Sequence, residues 1–265
     1  MAERVRTLEV LRHPESDQRD DVVAVEEPLA IRLEGQPLVV TMRTPGHDRE
    51  LAAGLLYTEG LIDGPDELRA LAHVRDPSNP RDNTVDVRLA SGLRADRAAL
   101  ASAQRSMFAS SACGICGKAT IEQVLRRAPR LDAPRRAPPE LLLDLPGRMR
   151  EAQAAFAATG GLHAAALFTF DGALEVLRED IGRHNAVDKV LGWRLLQDRA
   201  PVDDRVLLLS GRAGFELVQK ALFARVPVVA AVGAASSLAV ALAREGGVQL
   251  VGFLRGGRFN QYHPA

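Results

Sequence analysis

Residues 206–253 read VLLLSGRAGFELVQKALFARVPVVAAVGAASSLAVALAREGGVQLVGF, and this stretch decides the fold. Apolar runs at 206–209, 226–232 and 248–253 alternate with helical patterns at 215–224 and 238–244. Short apolar runs separated by helices of about ten residues mark βαβ units, whose parallel strands are buried on both faces and carry no polar alternation. Upstream, 164–170 is another such run and 185–196 another helical pattern, so the C-terminal half is predicted as α/β with a mostly parallel sheet. A helix is expected over 145–158, with Pro146 in its first turn and Gly160-Gly161 ending it.

The N-terminal half reads differently. Residues 1–21 are polar and aperiodic, which predicts a flexible arm. Val22 to Arg43, which contains PLAIRLEGQPLVVTMR, alternates around Gly35 and predicts a hairpin turning at Glu34-Gly35-Gln36. Arg43-Thr44-Pro45-Gly46 breaks that pattern, and His47-Asp48 then cap a helix with an apolar stripe of Leu51, Leu55 and Leu56 that stops near Gly60. A strand is expected over 83–89, and helices over 93–107 and 119–127. Pro129, Pro134, Pro138 and Pro139 make 128–140 a linker. The division is therefore an arm (1–21), an α+β domain (22–127), the linker (128–140) and an α/β domain (141–265).

A chain of 265 residues suits one large domain or two modest ones, and 46% apolar with 26% charged residues is the balance of a soluble globular protein. The 34 basic and 34 acidic residues cancel, which argues against a surface devoted to nucleic acid or anionic lipid and confines any anion site to a pocket. No apolar stretch is long enough for a membrane span, and the charged N-terminus lacks a secretory h-region, so the expected compartment is the cytoplasm. Only three of the basic residues are lysines, Lys118, Lys189 and Lys220; base composition explains the bias, yet all three fall in segments of chemical interest.

Each of the last three predicted strands ends in a small or cationic loop: Ser210-Gly211-Arg212-Ala213-Gly214, Gly233-Ala234-Ala235-Ser236-Ser237 and Arg255-Gly256-Gly257-Arg258. In an open α/β sheet ligands bind beyond the carboxyl ends of the strands, and helix N-termini favour phosphate. Glycine and serine after a strand also serve ordinary turns and N-caps. Convergence of three loops is what raises the anion site to a candidate, with Arg212, Arg255 and Arg258 as bidentate donors. In EDIGRHNAVDK, 179–189, His184 and Asp188 share a helix face, as do Asn185 and Lys189; the plain reading is a solvated helix start.

The two cysteines, Cys113 and Cys116 in SSACGICGK, cannot form a disulfide framework. A CxxC pair can share a metal, close a disulfide or pass sulfur. Zinc needs four ligands and no neighbouring histidine pair supplies them; a thioredoxin-like pair needs a strand before it, where a helix is expected. In a relay, Lys118 and a helix start favour the thiolate, Cys113 carries a persulfide, and Cys116 assists release.

The segments EEPLAIRLEG, MRTPGHDRELAAGLLYTEGLI, SACGICGKA, TGGLHAAALF, EDIGRHNAVDKVLG, LSGRAGFELVQKA, LAVALARE and LVGFLRGGRFNQY together resemble the FdhD family, the sulfurtransferases required for formate dehydrogenase maturation. The resemblance implies a sulfur carrier that takes persulfide sulfur from a cysteine desulfurase and delivers it to a molybdenum cofactor bearing two guanine dinucleotides, with no zinc. It implies that Cys113 holds the persulfide and Cys116 assists. Phe253, Leu254, Arg255, Gly256, Gly257 and Arg258 match the cofactor-binding segment, and Ser210, Gly211, Arg212, His184 and Asn185 extend it. It further implies a cytidine-deaminase-like α/β/α C-terminal domain beside a smaller α+β domain, a homodimer, and the formate dehydrogenase apoenzyme as partner. Two other readings stay open: a cofactor chaperone whose CxxC is a redox latch or metal clip, and a nucleotide hydrolase, which the missing HxE…PCxxC motif disfavours.

Overall fold

The computed structural model describes residues 3–75, 83–90, 129–132 and 134–263. The expected helices over 93–107 and 119–127, and with them Cys113, Cys116 and Lys118, lie outside the described residues.

The first difference from expectation is at the N-terminus. In place of an irregular arm, β1 (Val5–Arg12) and β2 (Asp17–Ala24) pair antiparallel along their whole length. Both faces of this hairpin are largely exposed, so no apolar alternation betrays it. Next come β3 (Glu27–Leu33) and β4 (Gln36–Arg43), the expected hairpin. Its two-residue turn has Glu34 at φ 52° and Gly35 at φ 76°, the left-handed pair that matches strand twist. Helix α1 (Asp48–Thr58) follows; His47 stands at its N-cap, but its side chain makes no capping bond there. With β5 (Leu68–His73) and β6 (Thr84–Leu89) the first half closes a four-stranded sheet of order β4-β3-β6-β5.

The helix expected over 145–158 is two helices, α2 (Pro139–Ala152) and α3 (Ala154–Thr159). Pro139 takes the first helical position, where its fixed φ and missing N–H cost nothing, so Pro146 lies inside the helix and not in its first turn. Beyond them stand β7 (His163–Phe168), β8 (Leu174–Asp180), α4 (Arg183–Leu196), β9 (Val206–Leu209), α5 (Phe215–Phe223), β10 (Val228–Ala231), α6 (Ser237–Gly246), β11 (Gln249–Arg255) and β12 (Arg258–His263). These strands form one sheet of order β12-β11-β10-β9-β7-β8. Only β9, β10 and β11 are parallel; β7, β8 and β12 run against their neighbours, so the sheet is mixed and the mostly parallel expectation is corrected. Among the described residues no helix is long and apolar enough to cross a membrane.

Helices cover both faces of this sheet. Leu142, Leu145 and Met149 of α2 bury Phe168, Val206 and Leu208 on one side. On the other, Val187 and Leu191 of α4, Leu217 and Val218 of α5, and Leu242 of α6 bury Leu167, Leu207 and Val229. That second core runs on through Leu51 and Leu56 of α1 to Ile31 and Val87, so the two halves of the chain share one core.

The junction is a close helix crossing. A Cβ on Gly54 of α1 would lie 1.8 Å from the Asp188 carbonyl oxygen, and one on Gly192 of α4 would lie 1.9 Å from that of Glu50. Backbone cannot yield as a side chain does, so Gly192→Ala must push the helices apart. We expect a loss of about 3 kcal/mol, at the upper end of overpacking effects. A urea titration that leaves the midpoint unchanged would contradict this close packing.

Candidate functional site

Strand directions assemble one edge. Because β7 is antiparallel to both β8 and β9, the end of β8, the start of β7 and the ends of β9, β10 and β11 lie side by side. Pairing of His163 with Asp180 and of Arg255 with Arg258 fixes the two flanks. Helices α4, α5 and α6 all begin at this edge, which turns three sets of free N–H groups toward it.

The first two loops come together. Gly233 N donates to the Gly211 oxygen at 2.9 Å, Ala213 N to Ala234 O at 3.0 Å and Ser236 N to Ala213 O at 3.1 Å. A Cβ on Gly233 would meet the Gly211 oxygen at 2.8 Å, so only glycine allows this contact. Part of the turn-and-cap reading also holds: Ser236 Oγ accepts from Ala239 N and caps α6, and Ser210 Oγ accepts from Ala164 N at 2.8 Å, tying β9 to β7. Gly211 and Arg212 remain open to the edge.

The third loop continues the edge as the tip of the β11–β12 hairpin. Gly256 and Gly257 both have positive φ there, and the tip is exposed. Phe253 sits at φ 54° where the strand register shifts, which throws its ring outward beside Arg255. Phe253, Arg255, Arg258, Phe259 and Asn260 line a hollow of about 290 Å³. Leu254, between them, points the other way and is 1% exposed in the core, so it contributes no side chain to the hollow. Among the described residues Arg212, Arg255 and Arg258 form no ion pair. A hollow of about 480 Å³ at the opposite edge, lined by Tyr57, Asp63, Asp66, Phe223 and Arg225, mixes both charges and does not suit a polyanion. Burial there pushes the Tyr57 hydroxyl up to about 12.

The segment 179–189 is not a solvated helix start. Asn185 is buried: its Nδ2 donates to the Met42 oxygen at 2.7 Å and to Asp180 Oδ1 at 3.0 Å, so its side chain belongs to the junction with β4 and not to the open edge. Lys189 Nζ lies 2.7 Å from Asp180 Oδ2 and donates to the Thr44 oxygen at 2.8 Å. Burial lowers the Lys189 ammonium despite Asp180. Asp188 accepts from Thr58 Oγ1 at 2.7 Å and pairs with Lys220 at 2.9 Å. Burial would depress Lys220 too, but the charges of Asp188 and Glu59 outweigh it and hold the ammonium above its ordinary value.

Unlike Asn185, Asp188 and Lys189, His184 reaches the edge, with Arg183 exposed beside it. Its Nε2 lies 2.5 Å from Glu216 Oε2, joining the first turns of α4 and α5. That hydrogen bond, aided by the charges of His184, Lys220 and Arg183, holds the Glu216 carboxyl below its usual value against burial. His163 flanks the pair, its imidazole lowered by burial and by Arg183 and His184. Glu216 and His163 were not legible as site residues, because only the sheet topology brings residues 163, 184 and 216 together. Such a cluster can bind anions and place an ionised acceptor among them.

Comparison with known proteins agrees with these motifs. The chain is 51% identical to the protein named sulfur carrier protein FdhD of Streptomyces coelicolor, covering 93% of this chain and 89% of that one. It is 48% identical to the protein of the same name from Mycobacterium tuberculosis, covering 96% and 95%. A crystal structure of a proposed formate dehydrogenase accessory protein from Desulfotalea psychrophila superposes with a TM-score of 0.73 at 26% identity, covering 98% of this chain and 96% of that one. The model of the FdhD/NarQ family matches residues 24–265, and this chain belongs to that family.

Proposed function

We propose that this protein is a sulfur carrier and sulfurtransferase in formate dehydrogenase maturation. The Cys113 thiolate attacks the outer sulfur of a cysteine desulfurase persulfide; the sulfur–sulfur bond there breaks, the desulfurase thiolate leaves, and Cys113 becomes a persulfide. Attack by the Cys116 thiolate on the inner sulfur then releases hydrosulfide and leaves a Cys113–Cys116 disulfide, which a dithiol reductant reopens. Lys118 beside the pair favours the thiolate form. The substrate that receives the sulfur is a molybdenum cofactor carrying guanine dinucleotides, held at the edge described above before it passes to the formate dehydrogenase apoenzyme.

One observation supports the cofactor site most: two interlocked glycine loops, three helix N-termini and the arginines Arg212, Arg255 and Arg258 meet at one edge of a protein with no net charge. Guanosine diphosphate (GDP) stands for one end of the cofactor. We expect Arg258→Ala to weaken GDP binding about tenfold, the effect of losing one hydrogen-bonded charge. Calorimetric titration checks this, and an unchanged affinity would remove Arg258 from the site. The variant should still accept sulfur on Cys113.

A further inference from the structure

Among the described residues at this edge, Asp180 ends β8 and Glu216 lies in the first turn of α5. Asp180 is fully buried against Lys189, whereas the Glu216 side chain is 37% exposed. An accessible carboxylate in a basic crevice built for phosphates works against their binding unless it meets another part of the ligand.

We propose that Glu216 reads the guanine base, its carboxylate accepting from the N1–H and the 2-amino group; the proposal rests on the guanine-dinucleotide reading above. Guanine presents these two donors side by side, and an ionised carboxylate presents two acceptor oxygens at matching separation. One Glu216 oxygen is held by His184, which fixes the side chain, and Oε1 accepts no hydrogen bond among the described residues. The carboxyl is held ionised by the same contact.

Charge then sets the ligand's direction. Glu216 repels a diphosphate; Arg212 lies in the loop before its helix, whereas Arg255 and Arg258, two of the three arginines, stand together at the β11–β12 tip away from that carboxylate and draw the diphosphate there. The loops after β9 and β11 are two strand spacings apart, about 10 Å, a separation that a nucleoside diphosphate spans. Adenine turns an acceptor nitrogen toward the position where guanine has N1–H, so the same carboxylate rejects it. The plainer role, an acid in the first turn of α5 paired with His184, asks nothing of the base.

Binding of GDP, inosine diphosphate and adenosine diphosphate to the full chain separates these roles. The expected order is GDP, then the inosine compound, then the adenosine compound, with roughly tenfold or more between the extremes, as for a bidentate base contact. In Glu216→Gln, and again in Glu216→Ala, that ratio should fall to about threefold or less while affinity for adenosine diphosphate is kept or rises. Circular dichroism confirms that each variant is folded. A ratio unchanged in both variants, as when Phe253 and Asn260 recognise the base, overturns the proposal and leaves the cofactor site standing. Equal weakening of all three ligands assigns Glu216 the structural role and also overturns it. A wild-type chain that binds none of the three overturns both this proposal and the cofactor reading.

Discussion

Cys113→Ala should abolish persulfide on the protein and reduce formate dehydrogenase activity to background in cells that carry it as their only copy. A thiolate is the sole group here that can take sulfane sulfur reversibly, and alanine removes it without charge or bulk. Cys116→Ala should behave differently: loading on Cys113 continues, release stops, and the persulfide accumulates under donor excess. The two variants thus separate acceptance from release. Loading lost in Cys116→Ala and kept in Cys113→Ala would reverse the two roles, and loading kept in both would end the relay. Both variants should bind GDP as the wild type does, because the residues at the sheet edge are untouched.

Lys220→Met is the largest expected effect on stability. Lys220 sits between Asp188, Thr58 and Glu59, with its side chain 6% exposed and Asp188 2% exposed. Removing the cation leaves a buried carboxylate whose one remaining donor among the described residues is Thr58, a loss of about 3–5 kcal/mol. The pH dependence follows from the direction of the shift. Lys220 is held above its ordinary 10.5, so its stabilisation is complete below that value and is lost as the pH rises through the higher folded value. Asp188, already raised by burial, rises further without its partner. Protonation then relieves the variant in acid. The difference between wild type and variant should be greatest from about neutral to weakly alkaline pH and shrink at both ends, as read by thermal melts across pH. A deficit that grows in acid would contradict the buried pair.

How much of this was legible depends on where each residue finds its partners. The runs VLLL and PVVAAV announce β9 and β10 because α2 covers one face and α4, α5 and α6 the other, leaving no position for a polar residue. At the margins that signal fades. β8, LEVLRED, and β12, RFNQYH, are edge strands whose polar side chains carry no buried-strand signal. β1 and β2 escaped for the same reason, since their apolar content is spread over two exposed faces. The glycine loops were legible from spacing, and the sheet does bring them together. Asn185, Asp188 and Lys189 read as a solvated helix start because their partners, Met42, Thr58 and Thr44, come from more than a hundred residues away. No local pattern encodes that distance, and the Glu216–His184 contact was hidden likewise.

The most direct test is mass spectrometry of the purified Cys116→Ala chain, in which release is blocked, after incubation with a cysteine desulfurase and cysteine, followed by digestion without reductant. The account predicts the added mass of one sulfur atom on the peptide that contains Cys113, localised to Cys113 by fragmentation and removed by a dithiol. A peptide that never gains sulfur while the desulfurase itself carries persulfide would contradict it.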